Sequence, residues 1–300
     1  MNECPLCSGG RTELFCGVAD PDLAATRWEI WRCRECGYGW THPLVGKDDL
    51  ASCYPPGYLG DAERTLRDFL SGQLQKTRSW RGETEKVKLV ERFVSAGRIL
   101  DVGCADGKFL LALDSRKWSR TGVEFISEVV GTVRSMIPVL EVFAGDIYAP
   151  ELEAGSFDVI TFWHVLEHLH DPHRVLRRAS SLLRPGGWVF ISLPNFDSLQ
   201  ARIFRRYWYA FDVPRHLHHF SPRPLRRLLR QSGLVPWAEV FFSRAYNFHQ
   251  LKHSLLRCSQ AAFSTRFPYY LVKPFLFAFP PMERLSGRYG VLTMVARLEG

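Results

Sequence analysis

No basic stretch leading into an apolar run opens this sequence. Met1 runs almost directly into Cys4, so the expectation is a chain without a secretory signal that stays in the cytoplasm. Cysteine is too sparse for a disulfide scaffold, with 8 in 300 residues, and the tight spacing of four of them points to metal in a reducing compartment. Repeats and low-complexity tracts are missing too. With 46% hydrophobic and 23% charged residues, the composition is that of a soluble globular protein and excludes a disordered chain. The H-E-x-x-H order of a zinc protease is absent, so no catalytic metal is read.

What is present divides the chain. Residues 1–56 are rich in Cys, Gly and Pro and end at the Pro-Pro-Gly after Tyr54, which continues neither a helix nor a central strand. Cys4, Cys7, Cys33 and Cys36 form two C-x-x-C pairs, each closely followed by glycine, a spacing that suits tetrahedral Zn²⁺. Four thiolates close the coordination sphere, so the ion is expected to be structural. The ribbon's arginines are balanced by acids, and it lacks the basic face that nucleic acid requires. Cys16, Cys53, Cys104 and Cys258 read as free thiols without a metal role.

Residues 57–96 carry spaced apolar positions, among them Leu66, Phe69, Val87 and Val90, which predict amphipathic linker or lid helices. From residue 97 a strand-helix alternation sets in. Strands are predicted at Arg98–Val102, Gly122–Phe125, Val139–Phe143, Phe157–Trp163 and Gly187–Leu193, with helices from about Asp106, from Ser127 and over His173–Arg184. The pattern is that of a doubly wound, Rossmann-like α/β sheet. A helix over Pro222–Ser232 and strands near Trp237–Phe242 and Val291–Leu298 complete it. Residues 246–287 read as an aromatic-rich insertion whose apolar stretch from Tyr269 to Pro280 is too short and too broken by proline to span a membrane.

Asp101 to Gly107 forms a buried strand entering a glycine turn, with Gly103 and Gly107 permitting positive φ and close approach of a ligand. Glu124 closes the next strand and Asp146 follows the third. In open α/β sheets ligands sit at these carboxyl ends, so the three features define one pocket.

These residues, with Asp158 and the Leu183 to Gly187 segment, resemble the class I S-adenosylmethionine-dependent methyltransferases; with the cysteines, the chain is similar to zinc-ribbon methyltransferases of bacterial sugar and polysaccharide clusters. The resemblance implies that Gly103 and its turn approach the methionyl part, that Glu124 takes the ribose hydroxyls, and that Asp146 and Ile147 meet the adenine. It places Trp163 and His164 beside the sulfonium. Ala105 stands where the family more often has glycine. The cofactor set is therefore Asp101, Gly103, Cys104, Asp106, Gly107, Glu124, Phe125, Asp146, Ile147, Trp163 and His164. Carboxylates and aromatic faces suit a cationic sulfonium better than a pyrophosphate.

A base would come from histidine, which is poised near neutral pH. His164 and His168 are read as sharing a helix face beside the cofactor strand. His216 lies in the segment from Asp212 to Ser221 on the acceptor side; there Arg215 occupies a place where the resemblance leads one to expect an acid, which speaks against carbon methylation. His170 reads as structural. Between Arg202 and Arg230 eight arginines face a single acid, Asp212, and are interleaved with aromatics that could hold an anionic acceptor.

The expected acceptor is a small molecule, a nucleotide- or lipid-linked sugar. A peripheral contact with the inner face of the membrane through 246–287 is a further expectation. The competing readings are an RNA methyltransferase that uses the ribbon for binding and a non-catalytic scaffold. The missing basic ribbon face, and the lack of an N-P-P-Y motif after Asp158, disfavour nucleic acid.

Overall fold

The computed structural model describes residues 3–19, 27–54, 61–241, 244–263 and 269–299. Two sheets organise them. The smaller is built from β1 (Thr12–Ala19), β2 (Arg27–Cys33), β3 (Gly39–His42) and, from far along the chain, β9 (His218–His219), in the order β1-β2-β3-β9. The larger contains β4 (Gly97–Val102), β5 (Trp118–Glu124), β6 (Glu141–Ala144), β7 (Phe157–Trp163), β8 (Leu183–Pro194), β10 (Leu234–Val240) and β11 (Val291–Leu298), in the order β10-β11-β8-β7-β4-β5-β6.

Strands β4 to β8 run parallel, and only β11 is antiparallel to its neighbours β8 and β10. The sheet is thus the predicted doubly wound one with a reversed strand near the end. Its central strands are apolar on both faces: Leu100, Ile160 and Val189 are fully buried on one and Ile99, Val159 and Phe190 on the other, each contributing roughly 1.5–3 kcal/mol. The winding reverses between β4 and β7, so the carboxyl ends of these two strands flank the crevice where a ligand belongs.

Helices cover both faces. In Pro172–Leu182, the Asp171 side chain caps the first turn by accepting from the Arg174 N–H at 2.9 Å, and Val175, Leu176, Ala179 and Leu182 form the buried stripe. This helix ends before the predicted Arg184, because the residue preceding Pro185 is driven toward extended backbone and Leu183 already pairs with Phe157 as the start of β8. Two helices, Ala62–Leu70 and Arg78–Glu91, occupy the expected linker, and their Leu66, Val87 and Val90 are buried.

The insertion is more regular than its prolines suggested. It forms helices Arg244–Phe263 and Tyr269–Ser286, the second passing through Pro274, Pro280 and Pro281. Leu276 and Phe279 bury one face against Phe204 and Trp208, whereas Phe277 and Leu285 stay exposed. Among the described residues no helix is long and apolar enough to cross a membrane.

Candidate active site

The turn after β4 is held by its neighbours on both sides. Gly103 has φ +70°, and a Cβ there would lie 2.5 Å from Cγ2 of Val165, so the turn closes against the segment after β7 only because glycine stands at this position. Ala105 also has positive φ, and its N–H donates to Oε2 of Glu124 at 2.9 Å, while Oε1 of the same carboxylate accepts from the Ile126 N–H at 3.1 Å. Glu124 therefore organises the glycine turn as well as closing β5. Gly107, at φ +75°, opens the short helix Lys108–Ala112.

Three buried carboxylates surround this turn: Asp101, Asp106 and Glu124. Asp106 pairs with Lys108 at 2.9 Å. Asp101 accepts from the Thr161 hydroxyl at 2.6 Å, yet burial raises its pKa to about 7. Three acids against Lys108 and Lys86 suit a cationic ligand such as S-adenosylmethionine better than a pyrophosphate.

The remaining positions of the cofactor set divide. Phe125 and Asp146 are exposed, the latter accepting from the Tyr148 N–H at 2.8 Å. Cys104 and Ile147 turn their side chains into the core, so only their main-chain atoms remain available to a ligand. Trp163 is buried edge-on against Phe109, and the ammonium of Lys86 lies 5.4 Å from its ring centroid. A cation thus already occupies an aromatic face that the resemblance assigns to the sulfonium.

Beyond Trp163 the chain enters a cluster of histidines. His164, at φ +59°, stacks on Tyr246 at 3.9 Å and places Nδ1 3.5 Å from Oε1 of Glu167. His168 and His216 meet edge to face at 4.5 Å. In place of the predicted shared helix face, His164 lies before a single 3₁₀ turn, Leu166–His168. Burial lowers the pKa of His164, and burial reinforced by His216 brings that of His168 to about 4. For Glu167, burial acts upward but is outweighed by His164, His168 and His216, so the carboxyl titrates below its ordinary value. Nε2 of His170 meets the Val45 carbonyl at 2.8 Å.

At the other sheet, Sγ of Cys4 lies 3.7 Å from that of Cys36, and Sγ of Cys7 lies 3.7 Å from that of Cys33. All four sulfurs fall within 4.8 Å of one another. Bonds of ~2.3 Å to a tetrahedral zinc ion set sulfur-sulfur edges of about 3.8 Å, which the two 3.7 Å pairs match. Gly37 takes the positive φ in the second knuckle, and Ser8 takes it in the first.

With this geometry in view, the comparisons are decisive for the family: a profile described as "Methyltransferase domain" matches residues 69–239. The chain belongs to this methyltransferase family. A ubiquinone biosynthesis O-methyltransferase from Chromobacterium violaceum is 30% identical over 154 residues, covering 47% of this chain and 66% of that one. A second, from Bordetella avium, is 32% identical over 150 residues, covering 46% of this chain and 62% of that one. The match therefore spans less than two thirds of these relatives' length. A crystal structure of an S-adenosylmethionine-dependent methyltransferase from Archaeoglobus fulgidus shares the fold at TM-score 0.51 and 18% identity, covering 76% of this chain and 98% of that one.

One expectation for the methyltransferase is corrected. The arginines between 202 and 230 do not converge: Arg202 pairs with Asp197, Arg215 with Asp212 and Arg226 with Glu239, while Arg223, Arg227 and Arg230 line a cleft beside Cys7 and Cys36. Their intervening aromatics Trp208 and Phe211 are fully buried. The eight therefore do not form one cradle, and the three that share a cleft lie beside the cysteines. Sequence reasoning also missed Lys86, Glu167 and Tyr246; Glu167 was visible inside the histidine segment, but nothing local showed that it would be buried between imidazoles from two segments.

Proposed function

We propose that the chain transfers a methyl group from S-adenosylmethionine to a hydroxyl of a small-molecule acceptor. The observation that carries this is the convergence, at the carboxyl ends of β4, β5 and β7, of three buried carboxylates and a cluster of histidines of which two titrate below the ordinary range. Asp101, Gly103, Asp106, Gly107 and Glu124 would hold the cofactor, with Phe125 and Asp146 toward its adenine, His164 beside its methyl group, and Cys104 and Ile147 acting through main-chain atoms. Bound there, the cofactor supplies a methyl group activated by its positive sulfur.

His168 and His216 each direct Nδ1 at a main-chain carbonyl, of Arg215 at 3.1 Å and of Ala210 at 2.8 Å. A carbonyl only accepts, so Nδ1 carries the proton and Nε2 keeps the lone pair. Either Nε2 can take the hydroxyl proton as the acceptor oxygen attacks. Much of the barrier would be lowered by holding oxygen and methyl in line, the work of the rigid turn at Gly103.

The narrower form, a nucleotide- or lipid-linked sugar acceptor, rests on the resemblance; the dispersed arginines withdraw one of its supports. We also propose a structural zinc ion on Cys4, Cys7, Cys33 and Cys36. The division into a ribbon at 1–56, a linker at 57–96 and a catalytic domain at 97–300 is likewise ours. Exposed Phe277 and Leu285 support contact of 246–287 with a membrane surface.

Calorimetric titration with S-adenosylhomocysteine tests the reading. Micromolar binding by wild type that is lost in Asp101→Ala and Glu124→Ala is expected; a folded wild type that binds none overturns it. Transfer of labelled methyl to a panel of hydroxylated acceptors then identifies the substrate.

A further inference from the structure

We propose that Glu167, His168 and His216 form a binding site for one divalent metal ion, distinct from the four cysteines. Each residue offers a ligand atom, and the three atoms lie within 4.8 Å of one another. Glu167 is 1% exposed, and neither carboxylate oxygen has a hydrogen-bond partner. A buried carboxylate is ordinarily bonded or paired with a cation.

The histidines are oriented as ligands are. With Nδ1–H of His216 donating to the Ala210 carbonyl and that of His168 shared between the Arg215 carbonyl and the Tyr54 hydroxyl at 3.0 Å, each ring presents Nε2 as its lone-pair nitrogen, the arrangement in which a second partner fixes the tautomer of a metal-bound imidazole. The two segments are also locked together, since the Leu217 N–H donates to the Glu167 carbonyl at 2.9 Å. Two imidazoles and one carboxylate suit a first-row divalent ion and leave positions open for an acceptor oxygen.

The site adjoins the glycine turn, because Val165, against which Gly103 closes, is two residues before Glu167. For methyl transfer the ion would hold the acceptor hydroxyl and stabilise its oxygen once the proton has left to solvent, taking over from His168 and His216 the role of assisting ionisation. That role rests on the transfer reading; occupancy by a metal does not.

The test is titration of the zinc-loaded full chain with Mn²⁺, a hard ion that leaves the thiolates to zinc, read by electron paramagnetic resonance and calorimetry. One Mn²⁺ per chain is expected, with Glu167→Gln and His216→Gln each weakening it about 100-fold while the chain stays folded. In wild type, Mn²⁺ should broaden the ring-proton signals of His168 and His216 first, which reads the site even where a variant fails to fold. Absence of binding, unchanged affinity in folded variants, or broadening first at the neighbouring pair His249 and His253, whose rings lie 4.2 Å apart, would each overturn the site. S-adenosylhomocysteine binding without any Mn²⁺ response defeats the metal alone; Mn²⁺ binding without S-adenosylhomocysteine binding defeats the transfer reading alone.

Discussion

The phenol of Tyr38, two residues beyond Cys36, hydrogen-bonds Nδ1 of His218 in the segment that carries His216. This bond sits where β3 pairs with β9, Trp40 opposite His218 and Gly39 opposite His219. Thr41 adds its hydroxyl to the His216 carbonyl at 2.6 Å and its N–H to the Leu217 carbonyl at 3.0 Å. The cysteine-bearing sheet therefore holds the histidine segment in place. Removing metal with a chelator, or introducing Cys36→Ser, should accelerate hydrogen exchange at Leu217 to Phe220 by at least tenfold. Exchange confined to residues 3–42 would show that the two regions are uncoupled.

Gly103→Ala should be far more damaging than its one added methyl suggests. The residue holds φ +70°, and the new Cβ meets Val165 at 2.5 Å, so strain and overlap together should cost about 1–3 kcal/mol and displace the turn. Thermal unfolding and S-adenosylhomocysteine calorimetry check this; a variant that binds like wild type would show that the turn tolerates movement.

Much of the architecture was legible because its signals are local. Phe157–Trp163 and Val291–Leu298 are mostly apolar, β-branched-rich runs whose bounds the structure reproduces, and two C-x-x-C pairs announce a four-sulfur cluster on their own. The histidine cluster was only half legible. Glu167 and His168 are adjacent, but His216 reaches them through pairing with β3, a contact spanning most of the chain that no periodicity encodes. The arginines misled for a related reason: a local count of charge carries no direction, and Arg215 spends its guanidinium on Asp212 at 2.7 Å.

Glu283, 0% exposed, joins its own helix, Tyr269–Ser286, to Arg244–Phe263 and to Gln200. Its carboxylate accepts from Gln200 Nε2 at 2.9 Å and Asn247 Nδ2 at 2.6 Å. Glu283→Ala leaves the buried Gln200 amide and the half-buried Asn247 amide without that acceptor, and a loss of roughly 2–3 kcal/mol is expected. Limited proteolysis should then cut first within 244–286. Unchanged cleavage and melting would show that apolar packing at Leu276 and Phe279 suffices.

Asp101 links cofactor affinity to pH. Burial lifts its pKa to about 7 from an ordinary value near 3.8, so the unliganded folded chain binds a proton there that the unfolded chain releases. Its stabilising contribution is complete below about pH 4 and is lost as pH rises through 7, a total of order 4 kcal/mol. Asp101→Asn should accordingly raise the melting temperature of the unliganded chain at pH 8, where the wild-type carboxylate must ionise in the core. The same carboxylate favours a cation, so affinity for S-adenosylmethionine should rise about tenfold between pH 6 and 8. S-adenosylhomocysteine, which lacks the positive sulfur, should show a weaker slope, and Asp101→Asn should flatten the first curve onto the second. A wild-type affinity for S-adenosylmethionine that is level across this range would mean that Lys86 and Thr161 already hold Asp101 ionised, and that the buried acid contributes no charge-specific attraction.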